Sequence, residues 1–231
     1  MNKNVIISVL VIIVLIVAGY LLLNRDAAKP AEQKVETVDT VATVNGVVIP
    51  RTAFEAQLAT ALTTAKTQGV DVTNAEKLAQ IRTQVLDDLI GNELINQGVI
   101  KAGIKVTPAE VETQFQAVLK QTGGAEGLAA ELKKSNLTEA QLRENISKQL
   151  TVQAYLLQNI DVKSITVSDA EIAKFYADYS KAQKDAGVKD VPALKELNDQ
   201  IKQQITANKE QTLIVNFVAS LRAAAKVETS L

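Results

Sequence analysis

With 231 residues, 25 basic side chains against 26 acidic ones and a formal net charge of −1, the chain has no basic stripe of the kind that binds nucleic acid. It contains no His and no Cys, which excludes structural zinc, haem, iron–sulfur and thiol chemistry together with His-dependent Ser and Cys nucleophiles. Those missing residues leave carboxylate, Lys or Ser–Lys catalysis to weigh, while the length suits one larger domain or two small ones and 47% hydrophobic residues supply a sizeable core.

The first element in chain order is an apolar run from Val5 to Leu23, interrupted only by Ser8, Gly19 and Tyr20. As a helix it nearly crosses a hydrocarbon layer. A cleaved signal peptide is the competing reading, but Tyr20-Leu21-Leu22-Leu23 carries the apolar run past the small residues where cleavage would be expected. Residues 1–24 are therefore predicted as a transmembrane anchor. Lys3 stands on one side of it and Arg25, Lys29 and Lys34 on the other, so charge does not orient it. Residues 25–39 contain Pro30 and lack apolar periodicity, as a flexible linker does.

Val41 to Ile49 predicts two short strands around Asn45-Gly46, a pair suited to the positive φ angles of a type I′ hairpin. Pro50 then stops the second strand and opens a helix to about Lys66. A second helix spans about Asn74 to Lys101, where Gly91 and Gly98 mark close packing; a third spans Pro108 to Gln121. Further helices are expected over about Gly127 to Lys134, Glu139 to Asn159 and Asp169 to Ala186. A long closing helix covers residues 192–225, and Val227 starts a terminal strand.

Three of these helices begin with the same code. Thr107, Thr138 and Ser168 are N-caps, Glu110, Gln141 and Glu171 complete capping boxes, and Val106/Val111, Leu137/Leu142 and Val167/Ile172 are hydrophobic staples. These Glu and Gln side chains are caps rather than catalysts. Asp87-Asp88 does not converge as an acid–base pair would, because neighbours on a helix diverge by about 100°. Ser147-Lys148 and Ser180-Lys181 are adjacent pairs, and no Ser-x-x-Lys exists in the chain. The Gln121 to Gly127 loop lacks the Lys-Ser/Thr of a phosphate loop and reads as a helix stop.

Taken together, Val44-Asn45-Gly46 with Ile49, Leu86 to Leu94, Ala102 to Val111, Leu137 to Ile146, Val167 to Tyr176 and the close at Phe217 to Val227 resemble the N-terminal chaperone module of the SurA/PrsA/PpiD family of envelope folding factors. The resemblance implies a mainly α module over residues 40–231, with a short β-hairpin and a long C-terminal helix packing back. It implies that the terminal strand pairs beside the Val-Asn-Gly strand. It also implies a domain on the periplasmic or extracellular side of the cytoplasmic membrane, held by a single-pass anchor. Relatives carry a parvulin isomerase before the closing helix; here only Ala177 to Val191 intervenes, and parvulin sites depend on His.

The expected function is thus membrane-anchored, non-enzymatic and free of metals and cofactors. It is the binding of unfolded or newly exported proteins in a groove between long helices. With 8 Phe and Tyr together and Met1 the sole Met, such a groove would be lined mainly by Val, Leu, Ile and Ala. The alternative is a scaffolding protein whose long helices dock a partner membrane complex. The sequence names no peptide-binding residue and leaves the oligomeric state open.

Overall fold

The structure, a computed structural model, describes residues 39–230. The predicted anchor and all of the linker except Asp39 lie outside these residues. Among the described residues no helix is long and apolar enough to cross a membrane.

Strands β1 (Thr40–Val44) and β2 (Val47–Pro50) form an antiparallel hairpin with Val44 opposite Val47 and Ala42 opposite Ile49. Asn45 and Gly46 take φ of 52° and 86°, the two positive values a type I′ turn requires. Strand β3 (Val227–Thr229) pairs antiparallel with the other side of β1, Val227 opposite Val44, so the sheet order is β2-β1-β3. The terminal strand therefore sits where the resemblance implies.

Helix α1 (Arg51–Thr67) starts one residue later than expected, with Pro50 as its extended N-cap rather than its first helical residue. Helix α2 (Ala75–Ala102) is capped by the Asn74 side chain on the Lys77 amide and ends at Gly103, whose φ of 63° is the left-handed C-cap conformation. From α1 come Phe54 and Leu58; from α2 come Val85, Leu86, Leu89, Ile90 and Leu94. Val41, Ala42, Val44 and Ile49 of the sheet complete one cluster, which Leu221 and Ala225 flank. The close approaches expected at the α2 glycines are present. A Cβ at Gly91 would stand 3.2 Å from Val218 Cγ1, and one at Gly98 would overlap the Tyr155 hydroxyl.

Helices α3 (Pro108–Gln121), α4 (Ala125–Lys134) and α5 (Glu139–Asn159) share a second cluster built on Phe115, Leu128 and Ile146. Helix α4 starts two residues earlier than its pattern predicts. Gly123 and Gly124, at φ 83° and 98°, complete the turn, and Gly127 is needed because a Cβ there would overlap the Thr122 carbonyl oxygen. Over Phe115 lies the Arg143 guanidinium, 3.7 Å from the ring centroid and paired with Glu112 and Glu139.

The described chain forms two compact units, residues 39–156 with 218–230, and residues 157–217. The second contains a 3₁₀ turn at Val162–Ser164, helix α6 (Asp169–Asp185) and most of α7 (Leu194–Ala223). Its cluster is Ile172, Ile201 and Ile205, with Val167, Phe175, Tyr176, Leu194 and Leu197 partly buried around them. Tyr176 donates its hydroxyl to the Pro192 carbonyl at 3.0 Å. This leaves Pro192 in the connection, so α7 begins two residues later than predicted. At 30 residues it is about 45 Å long.

Candidate functional site

Each side chain the sequence offers for chemistry is already engaged or isolated. Asp87 Oδ1 accepts from Arg222 at 2.6 Å, while Asp88 Oδ1 accepts from Gln84 at 2.7 Å. The two carboxyls thus serve different partners. Burial raises the Asp88 pKa, opposed by the Gln84 donor and reinforced by the Asp87 charge. Among the described residues no group of three or more His, Cys, Asp or Glu could hold a metal. Lys148 pairs with Glu144 and Lys181 with Asp185, rather than with the serines beside them.

All three capping boxes are formed. Glu110 accepts the Thr107 amide at 2.8 Å, Gln141 the Thr138 amide at 2.8 Å and Glu171 the Ser168 amide at 2.9 Å. Glu171 is further clamped by Lys209 at 2.5 Å, and that ammonium also donates to the Thr166 carbonyl at 2.7 Å. Lys209, then the Ser168 amide and hydroxyl, bring the Glu171 pKa down to about 2.

Asn45 does more than shape its turn. Its Nδ2 donates to Gln97 Oε1 at 2.8 Å, and its Oδ1 accepts the Lys226 amide at 2.9 Å. Gln97 Nε2 in turn donates to the Val44 carbonyl at 3.0 Å. One turn residue therefore joins the hairpin to α2 and to the segment entering β3.

Surface shape is the other feature of the described residues that bears on function. At the end of α1, the Val70 amide turns back to the Ala65 carbonyl at 2.9 Å. Asp71 Oδ1 then accepts the Thr73 amide at 2.9 Å and hydroxyl at 2.6 Å, and Asn74 caps α2. This tight connection opens a groove of about 360 Å³ between the two helices. Ala65, Gln68 and Val70 line one side; Lys77, Gln80, Ile81 and Gln84 line the other. The lining is more polar than the Val, Leu, Ile and Ala wall expected. Its glutamines carry no sequence signal, because a glutamine on an exposed helix face is ordinary. Apolar surface is also open elsewhere in this unit, at Val47 and Val48 of edge strand β2 and at Ile100, which is 71% exposed.

Residues 1–123 match the family described as SurA-like N-terminal domain. A protein of Chromobacterium violaceum named chaperone SurA is 31% identical over 147 residues, 63% of this chain and 33% of that protein. The chain thus spans about a third of the length of this curated relative. A solved structure comes from work on the virulence factor PEB4 and the periplasmic protein Cj1289, two structurally related SurA-like chaperones of Campylobacter jejuni. It superposes with a TM-score of 0.51 at 14% identity, covering 83% of this chain and 98% of that one. That likeness is one of fold.

Proposed function

From the premise that the chain belongs to the SurA-like N-terminal domain family, we propose that it is a non-enzymatic chaperone module that binds unfolded exported polypeptides. In this reading residues 1–24 anchor it in the cytoplasmic membrane and the domain faces the periplasmic or extracellular side. The family match carries the proposal, and two physical features support it. The titratable groups singled out by the sequence are engaged in caps, ion pairs and, for Asp88, a hydrogen bond from Gln84, whereas the α1–α2 groove and the exposed Val47, Val48 and Ile100 offer non-covalent contact. Burying client apolar area yields about 25 cal/mol per Å² before ordering terms are subtracted, so a small open surface gives weak, reversible binding. A protein that must release its client works in that regime.

The test is suppression of aggregation. Substoichiometric to equimolar full-length chain is expected to slow the aggregation of several unrelated unfolded proteins without accelerating proline isomerisation in a peptide. No effect on aggregation, with stoichiometric capture of one membrane complex instead, would replace this reading with the scaffolding one. Protease access in intact cells against spheroplasts tests the topology.

A further inference from the structure

We propose that the α1–α2 groove reads the main chain of an extended client segment through a row of glutamine carboxamides. The inference rests on the chaperone reading and adds to it a place and a mode of recognition. Gln80 and Gln84 line the groove from one helix and are four residues apart. Along a helix that separation is about 6 Å. In an extended chain, alternate residues are about 6.6 Å apart and turn their N–H and C=O groups to the same side. Two carboxamides one helical turn apart therefore match the spacing of residues i and i+2 of such a segment, and a carboxamide carries both a donor and an acceptor.

The groups are available for exchange. Gln80 makes only long contacts, 3.4 Å to Glu76 and 3.4 Å from Lys77. Gln84 uses its Nε2 on Asp88, so its carbonyl oxygen is the group offered to an incoming N–H. Lys77, at one end of the row, can donate to a further carbonyl. Ala65, Val70 and Ile81 supply the apolar part of the lining, against which an alternate client side chain packs. Recognition through main-chain groups depends little on client sequence, which suits a chain that must accept many unfolded partners.

The experiment uses the full-length chain and a fluorescein-labelled octapeptide of alternating Val and Ser, read by fluorescence anisotropy. Two further peptides carry N-methyl groups on every second amide, one in each register. Gln80→Leu with Gln84→Leu preserves the bulk of the lining and removes the carboxamides; both positions are exposed, and the contacts given up are local ones to Asp88, Glu76 and Lys77. About tenfold weaker binding is expected for the double variant, and a similar loss for the native chain with one of the methylated peptides. The methylated peptides test main-chain reading without any substitution in the protein. Unchanged affinity in both arms, while the native chain still suppresses aggregation of reduced lysozyme, would overturn the groove and leave the chaperone reading standing. A native chain that neither binds the peptide nor suppresses aggregation would overturn both.

Discussion

Around the three-stranded sheet, eleven buried side chains form one cluster, and Phe54, Ile90, Val41 and Val44 within it are almost wholly enclosed. In residues 157–217 the cluster has three, Ile172, Ile201 and Ile205. Both units carry exposed caps and ion pairs, but in the smaller one they stand beside far less burial: the Ser168 capping box, the Lys209–Glu171 pair, Lys174–Asp178 and Lys181–Asp185. Exposed ion pairs contribute about 0–1 kcal/mol each, whereas one enclosed aliphatic or aromatic side chain contributes about 1.5–3 kcal/mol. The sheet unit is therefore held by burial, and the α6–α7 unit by local order that solvent, salt and pH can reach.

The strongest way to break this contrast is Phe54→Ala. The ring is 0% exposed and lies under the Arg82 guanidinium, 5.3 Å from its centroid. Truncation is expected to remove about 3–5 kcal/mol, read in denaturant melts and as lost amide protection in β1, β2 and α2. Equal loss of protection in α6 would show that the two clusters unfold as one. Next is Gly98→Ala, which forces a methyl group into the hydroxyl of a tyrosine that is 6% exposed. Overpacking of this kind is expected to cost about 1–3 kcal/mol by thermal melt, and Gly91→Ala less, since a methyl there needs only a small shift of Val218.

These positions also show what a sequence discloses. The I′ turn, the three capping boxes and the α2 glycines were legible because each is written within a few neighbouring residues. Asp87 finding Arg222, Gln97 finding Asn45, and the α1–α2 groove were not, because folding joins positions with no local mark. Boundaries moved by one or two residues wherever a proline or glycine could serve either turn or helix, as at Pro50, Pro192 and Gly124. Glu210 is the plainest surprise. On α7 it occupies a core position, 1% exposed, and neither carboxylate oxygen has a hydrogen-bond partner.

Burial raises the Glu210 pKa. A carboxyl whose folded pKa lies above its unfolded value leaves stability intact below the unfolded pKa and removes it as pH rises through the folded one. Glu210→Met should therefore stabilise the α6–α7 unit at pH 8 by about 1–3 kcal/mol and change little at pH 4. Melts of both proteins across that range are the measurement; a constant offset would mean that packing, rather than ionisation, separates them.

The smallest expected effect is also the sharpest comparison, because a capping box closed by a glutamate occurs once in each unit. Glu110 is held below the usual range by the Thr107 amide and then its hydroxyl, whereas Glu171 has the cation of Lys209 added and falls to about 2. Lowered carboxyls act in the sense opposite to Glu210. Their stabilisation is present above the unfolded pKa and is lost as pH falls through the folded one, for Glu171 from about 4.5 down to about 2. Lys209→Met should bring Glu171 up toward the behaviour of Glu110 in an NMR titration of the two carboxyls, and shorten the acid-side loss in α6 alone. If Glu171 titrates unchanged without Lys209, the box by itself sets its pKa. The two units would then share one device at that site, and their difference would reduce to how much apolar surface each encloses.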